Sequence, residues 1–301
     1  MILFPAICFC QAEPLPRVSF GKIERISRFH TELVEPRNID IWLPDSYDTG
    51  KTYDVLYMHD GQMLFDSATT WNKQAWDADD CFGRLIKEGK IKECIIVGIW
   101  NVPGNRYADY FPEKIIPDIP EPTRTRILEK QLKGPPRADN YLRFIVTELK
   151  PYIDRHYSTR PEAGSTWMMG SSMGGLISVY ALCEYPSVFG GVACLSIHSP
   201  LASYDLIDER TNEEVASKFR QYLGNKLPPA NTRKIYFDYG NLTGDAYYKP
   251  YQAGIDEVMR QKGYRAPYWQ TKYFEGESHN EISWARRLDI PALFLLRKET
   301  P

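Results

Sequence analysis

The segment Gly170-Ser171-Ser172-Met173-Gly174 has the pattern G-x-S-x-G, and Ser172 is its serine. A serine hydroxyl attacks an ester carbonyl only when a base takes its proton. The spacing has a steric reason. A serine held on a sharp strand-to-helix turn draws the residues two before and two after it together, so both must be small. Taken alone the pattern could be an ordinary turn. Its flanks argue otherwise: the apolar run 166–169 precedes it and a helical run, 175–184, follows. Ser171 lacks the frame and is discounted.

The base should be a histidine placed after the serine in the chain. His279 stands in the turn that follows the last strand-like run. His30 lies in an early strand, His59 ends a strand, and His156 ends a helix. His198, after the sixth strand, is the one rival and a candidate to line the pocket. An acid must orient the imidazole and stabilise it once protonated. Asp245 is preferred, in Gly240-Asn241-Leu242-Thr243-Gly244-Asp245 after the seventh strand. Asp238 sits inside that strand and reads as structural, Glu275 and Glu277 as solvated turn residues, and Asp205 is a weaker candidate. The developing oxyanion needs two backbone N–H donors. Met173 and Gln62 are placed to supply them, although Asp60-Gly61 by itself reads as a plain turn.

These residues need a scaffold. Strand-like runs cover 28–34, 38–43, 53–58, 94–100, 166–169, 189–196, 234–239 and 268–274. Several are continuous apolar runs bounded by Gly and Pro, as strands buried on both faces are. Helical periodicity covers 140–155, with Asp139 as N-cap and Pro151 kinking or ending it, then 175–184 and 251–261. Strands alternating with helices imply an α/β fold, a mainly parallel sheet of about eight strands flanked by helices. With the serine motif between the fifth strand and a helix, the expectation is an α/β-hydrolase fold. Segment 101–137 breaks the order with prolines from Pro103 to Pro136, so it is either disordered or a functional lid. Its Tyr107, Tyr110 and Phe111 argue for packing near the site.

Composition limits the alternatives. The 301 residues are 43% hydrophobic and 25% charged, enough for one large core over 13–301. A net charge of -2 points to neither nucleic acid nor an anionic membrane as the main partner. Residues 1–12 are apolar and end in Cys10 and Ala12, small residues spaced as at a signal-peptidase site, but no charged n-region precedes them. They read as a leader, which implies a secreted or periplasmic protein. An apolar strand, and a cytoplasmic protein, is the alternative. The run is too short to span a membrane. Cys94, Cys183 and Cys194 look like core residues, and Cys81 could pair with one of them. No Cys/His spacing suggests a metal, and no cofactor is expected.

Asp60-Gly61-Gln62, Asn105-Arg106-Tyr107, Gly170 to Gly175, Gly240 to Asp245, and Ser278-His279-Asn280 before Trp284 resemble the Putative esterase, or esterase D-like, family. That family includes the feruloyl and acetyl-xylan esterases of carbohydrate esterase family one and the enterochelin esterases. The resemblance covers roughly residues 25 to 297. It implies ester hydrolysis without a cofactor, a triad of Ser172, Asp245 and His279, and oxyanion donors at Gln62 and Met173. The acid varies within the family in type and position. Trp71, Trp76, Trp100, Tyr107, Tyr110 and Trp284 follow strand ends or motif loops and could stack on a sugar or phenolic acid; core packing is the plainer reading for each. Arg106 either anchors an anion or pins its loop through an ion pair. Trp71, Trp76, Arg106, Tyr107, His198 and Trp284 are thus the substrate-binding candidates. Four functions are in view: an esterase of acylated carbohydrate, a siderophore-ester hydrolase, an acyltransferase that excludes water from the acyl-enzyme, and a non-catalytic binding protein.

Overall fold

Four of the apolar runs become strands in which every residue is buried: β3 (Asp54–His59), β4 (Cys94–Ile99), β5 (Thr166–Ser171) and β6 (Gly191–Leu195). Side chains alternate across a strand. Val55 and Tyr57 therefore enter one core with Val97 and Ile99, while Leu56 and Met58 enter another with Ile96. This computed structural model describes residues 13–202 and 209–298. The proposed leader and Asp205 lie outside the described residues.

The sheet has 8 strands in the order β1-β2-β4-β3-β5-β6-β7-β8, with β1 (Lys22–Phe29), β2 (Arg37–Leu43), β7 (Lys234–Tyr239) and β8 (Trp269–Tyr273) completing it. β1 and β2 are antiparallel to their neighbours, and β3 through β8 run parallel. The helices are α1 (Ala78–Lys87), α2 (Arg106–Tyr110), α3 (Thr123–Arg126), α4 (Ala138–Phe144), α5 (Lys150–His156), α6 (Met173–Glu184), α7 (Glu209–Lys226), α8 (Tyr248–Gln261), α9 (Glu281–Ala285) and α10 (Asp289–Leu296). Phe82 and Leu85 of α1 share a core with Leu295 of α10 on one face; Leu142, Ile177, Phe219 and Ile255 from α4, α6, α7 and α8 share the core of the other. In such a sheet ligands bind beyond the carboxyl ends of the strands. Every candidate site residue follows such an end.

Four expectations are corrected. The first strand is not 28–34 but β1, further upstream. Arg28 adopts φ 49 and gives its N–H to the Asn38 side chain, so the ladder slips there and the chain turns away. Asp139 is not an N-cap: Arg137 precedes α4, and the Asp139 carboxylate instead accepts the Tyr180 hydroxyl at 2.5 Å. Pro151 does not end its helix: the chain stays helical from α4 through a π-helical stretch, Ile145–Leu149, into α5, and the change of helix type falls just before Pro151, which has no N–H to give. Cys81 pairs with none of Cys94, Cys183 and Cys194; all are buried and free.

Segment 101–137 is built from short helices: α2, a 3₁₀ stretch Glu113–Asp118, α3, and a π-helical turn Ile127–Leu132. Tyr110, Phe111, Ile115 and Ile127 root it in the core. Asp109 of α2 meets Arg37 of β2 at 2.9 Å with both side chains fully buried. Among the described residues no helix is long and apolar enough to cross a membrane.

Candidate active site

Ser172 caps the junction of β5 and α6 with φ 55 and ψ -122. A non-glycine residue there costs about 1–3 kcal/mol and survives only where its surroundings enforce it. Here they do. Its N–H bonds Leu195 O at 2.9 Å, and its carbonyl accepts the N–H groups of Leu176 and His198, both at 3.1 Å. The small residues on either side are a steric requirement. A Cβ on Gly170 would lie 2.6 Å from the Gly174 carbonyl carbon, and one on Gly174 would lie 3.2 Å from Cβ of His59.

His279 reaches Asp245 across two loops. Its Nδ1 lies 2.6 Å from Asp245 Oδ1, and its backbone N–H bonds Thr243 Oγ1 at 2.8 Å. Leu242 and Ser278 pair as a bridge, fixing one loop to the other. Burial pushes the Asp245 carboxyl up, but bonds from His279, Ser196 and the Gly240 N–H outweigh it and hold the group below the usual carboxylate range. Ser172 and His279 line one cleft of about 1150 Å³. Asp245 lies behind His279, with about 1% of its surface exposed.

Gln62 lines the same cleft and sits in a 3₁₀ turn, Gly61–Met63, while Met173 opens α6. N–H groups in a first helical turn have no partner inside the helix. Asp60-Gly61 is more than a plain turn: a Cβ on Gly61 would lie 2.5 Å from the Gly98 carbonyl carbon. Asp60 takes both prongs of Arg106, Nε at 2.8 Å and Nη2 at 2.7 Å, and also Asn101 Nδ2 at 2.7 Å. Arg106 thus pins 101–137 onto the Gln62 turn, as the second of its two sequence readings has it, and it also lines the cleft.

Trp71, Trp76, Tyr107 and Trp284 line the cleft. Trp71 is 81% exposed and Tyr107 40%. Trp76 and Trp284 are buried against one another, ring centroids 5.6 Å apart. Trp284 also stands edge-on to His279 at 5.1 Å. Trp100 and Tyr110 are not in the cleft wall: the Trp100 indole bonds Asp40, and Tyr110 is buried beneath Arg106. His198 is not in the wall either. Its Nδ1 lies 2.9 Å from the Tyr248 hydroxyl, and burial, with His279 and Arg106 nearby, lowers its pKa to about 3. Sequence reasoning missed Ser196, Arg287 and Thr243, all of which touch this site, and overlooked Lys130 and Lys133 of the cleft wall. Among the described residues no group of His, Cys, Asp and Glu could hold a metal ion.

The family profile described as Putative esterase matches residues 31–287. The chain belongs to the Putative esterase family. A relative from Bacillus subtilis (strain 168), "Uncharacterized protein YbbA", is 27% identical over 161 residues, 53% of this chain and 56% of the relative. The matched region is thus about half of that relative's length. Among solved structures, this esterase-family chain resembles a ferulic acid esterase with a TM-score of 0.64 at 20% identity, over 92% of this chain and 98% of that one. It also resembles the enterobactin esterase FES from Shigella flexneri, with a TM-score of 0.63 at 15% identity, over 93% and 60% of the two chains. Such identities establish the fold, which is that of the α/β-hydrolases.

Proposed function

We propose that the chain is a serine carboxylester hydrolase in which Ser172 is the nucleophile, His279 the general base and Asp245 the acid that orients it. One observation carries this reading: a strained serine and a histidine share one cleft, and a buried carboxylate grips the histidine at 2.6 Å. An ionised carboxylate can only accept, so Nδ1 keeps its proton and Nε2 presents a lone pair. His279 then takes the Ser172 proton as Oγ attacks the ester carbonyl, and returns it to the leaving alcohol. The N–H groups of Gln62 and Met173 receive the charge that develops on the carbonyl oxygen. Water resolves the acyl-enzyme by the same steps in reverse.

For the substrate we favour an acylated carbohydrate, an acetyl or feruloyl ester. The exposed rings of Trp71 and Tyr107 at the cleft mouth offer stacking faces for a sugar or phenolic acid. The likeness to a ferulic acid esterase supports this choice. A secreted or periplasmic location would suit it and rests on the leader alone. The test is hydrolysis of p-nitrophenyl acetate, methyl ferulate, acetylated xylan and a catecholate siderophore ester, by native protein and by Ser172→Ala. Ser172→Ala should lose activity by about 10⁴-fold or more. Undiminished turnover in that variant would end the reading.

The siderophore-ester reading has its own support. Lys130 and Lys133 are exposed on the cleft wall, and neither has an ion-pair partner among the described residues. If the substrate is anionic, Lys130→Ala should raise KM several-fold for a charged ester and leave a neutral one unchanged, and added salt should mimic it. Equal effects on both esters would remove that support.

A further inference from the structure

Behind His279 and Asp245 lies a buried polar cluster that the mechanism above does not use. Ser196, just past the end of β6, is fully buried. Its Oγ lies 3.0 Å from Trp284 Nε1, 2.9 Å from Arg287 Nη2 and 2.6 Å from Asp245 Oδ2. Indole and guanidinium N–H groups only donate, and a hydroxyl has two lone pairs and one proton. Both lone pairs are therefore filled, and the proton can go only to Asp245. Chemistry alone fixes the direction of that bond. Oδ2 also accepts the Gly240 N–H at 2.6 Å. With Oδ2 doubly occupied, Oδ1 is the oxygen left for His279.

Arg287, with 3% of its surface exposed, divides the same nitrogen between Ser196 and Asp238 Oδ1, the latter also at 2.9 Å. Asp238 further accepts the Ser196 N–H and the Tyr236 hydroxyl, each at 3.1 Å. The charge of Arg287 is thus balanced by Asp238, 2.9 Å away, while Asp245 Oδ2 stands 4.0 Å off and is reached through Ser196. Ser196 has φ 42, a conformation serine avoids, and the N–H bond to Asp238 helps hold it.

We propose that Ser196 and Arg287 are positioning residues for Asp245. Ser196 sets which carboxylate oxygen faces His279, and so how the carboxylate is aimed at Nδ1 and how much of its charge is already satisfied; Arg287 sets Ser196. The inference rests on the reading of Ser172, His279 and Asp245 as the catalytic set. The groups that face His279 are Asp245 with Arg287 beyond it, the buried His198, the Tyr248 ring of α8 at 5.5 Å, and Glu281 on its own side of the cleft.

The experiment compares Ser196→Ala, Ser196→Gly, Arg287→Lys and Arg287→Met with the native protein. Glycine tolerates positive φ, so Ser196→Gly removes the hydroxyl while relieving the backbone. Removing the hydroxyl should lower kcat by about 10–100-fold with KM little changed, the usual range for an outer hydrogen-bond partner. It should also move the acid limb of the pH–kcat/KM profile upward by roughly half a unit to one unit. Asp245 loses a donor and faces the imidazolium with less of its charge satisfied. Arg287→Lys can still donate to Ser196 and should recover most of what Arg287→Met loses. NMR titration of the His279 ring reads the same shift without turnover, so a native protein inactive on every ester would sink the catalytic reading while the positioning claim is still tested. Folded Ser196→Gly with unchanged kcat, pH profile and His279 titration would overturn the proposal.

Discussion

Replacing Asp245 by Asn would keep its shape and place an NH₂ or a neutral oxygen where His279 now meets a carboxylate. The imidazole would lose both its tautomer lock and the charge that stabilises its protonated form. Expected is a fall in kcat of about 10⁴-fold with the fold intact, measured by initial rates and circular dichroism. A loss below about ten-fold would reassign the acid. At this scale Ser172 stood out by its strict local frame and His279 by its place in the turn after the last strand, and the structure brings both to one cleft. Asp245 was legible by its place after β7. Arg106 was not settled, because its partner Asp60 lies 46 positions away and sequence spacing carries no distance. Arg287 was invisible: nothing local separates it from Arg286, yet Arg286 is exposed beside Glu277 and Arg287 is buried against Asp238.

The elements hold the residues by contact, and one such close contact is at the serine turn. Gly170→Ala would drive a Cβ to 2.6 Å from the Gly174 backbone, which cannot yield as a flexible side chain could. A loss of about 2–3 kcal/mol, or displacement of Ser172, is expected from such overpacking. Gly164→Ala, where a Cβ would meet nothing within 4 Å, should stay within about 0.5 kcal/mol. Urea unfolding of both, with activity, checks the contrast; equal stabilities would show that the turn relaxes. The parallel strands were legible because burial on both faces leaves uninterrupted apolar runs. The amphipathic α7 was missed although Val215, Phe219 and Leu223 recur at helical spacing. Its polar face outnumbers that stripe and masks it. The prolines of 101–137 announced an irregular segment but not its buried underside. Since Tyr110, Phe111 and Ile115 belong to the core, point changes at the lining residues are the right probe of a lid role, not removal of the whole segment.

Across the whole molecule, stability is coupled to acid through histidines that the core keeps neutral. Burial lowers both His59 and His198 from 6.5 to about 3. Above pH 6.5 neither state holds the extra protons and the pair contributes no pH dependence. Between about 6.5 and 3 only the unfolded chain takes them up, so stability falls as pH falls, by up to about 1.4 kcal/mol per unit for each histidine. The slope of unfolding free energy against pH, taken between about pH 6 and pH 4, should drop by close to one proton in His59→Gln. An unchanged slope would place a charged or solvated histidine at that position.

The exposure of Trp71 gives the molecule a built-in optical gauge. The chain has 7 tryptophans. Trp42, Trp76, Trp167 and Trp284 are buried, whereas Trp71 stands 81% open at the cleft mouth. An indole bathed in water emits to the red of indoles packed in a core. Trp100 and Trp269 are half-buried, so light selected at the red edge of the emission band is weighted most toward Trp71, less toward those two and least toward the buried four. Anything that settles over Trp71 should shift the band to the blue or quench it, and acrylamide should lose access. Occupancy of the cleft can then be followed on the unlabelled protein, even in Ser172→Ala, where no product forms.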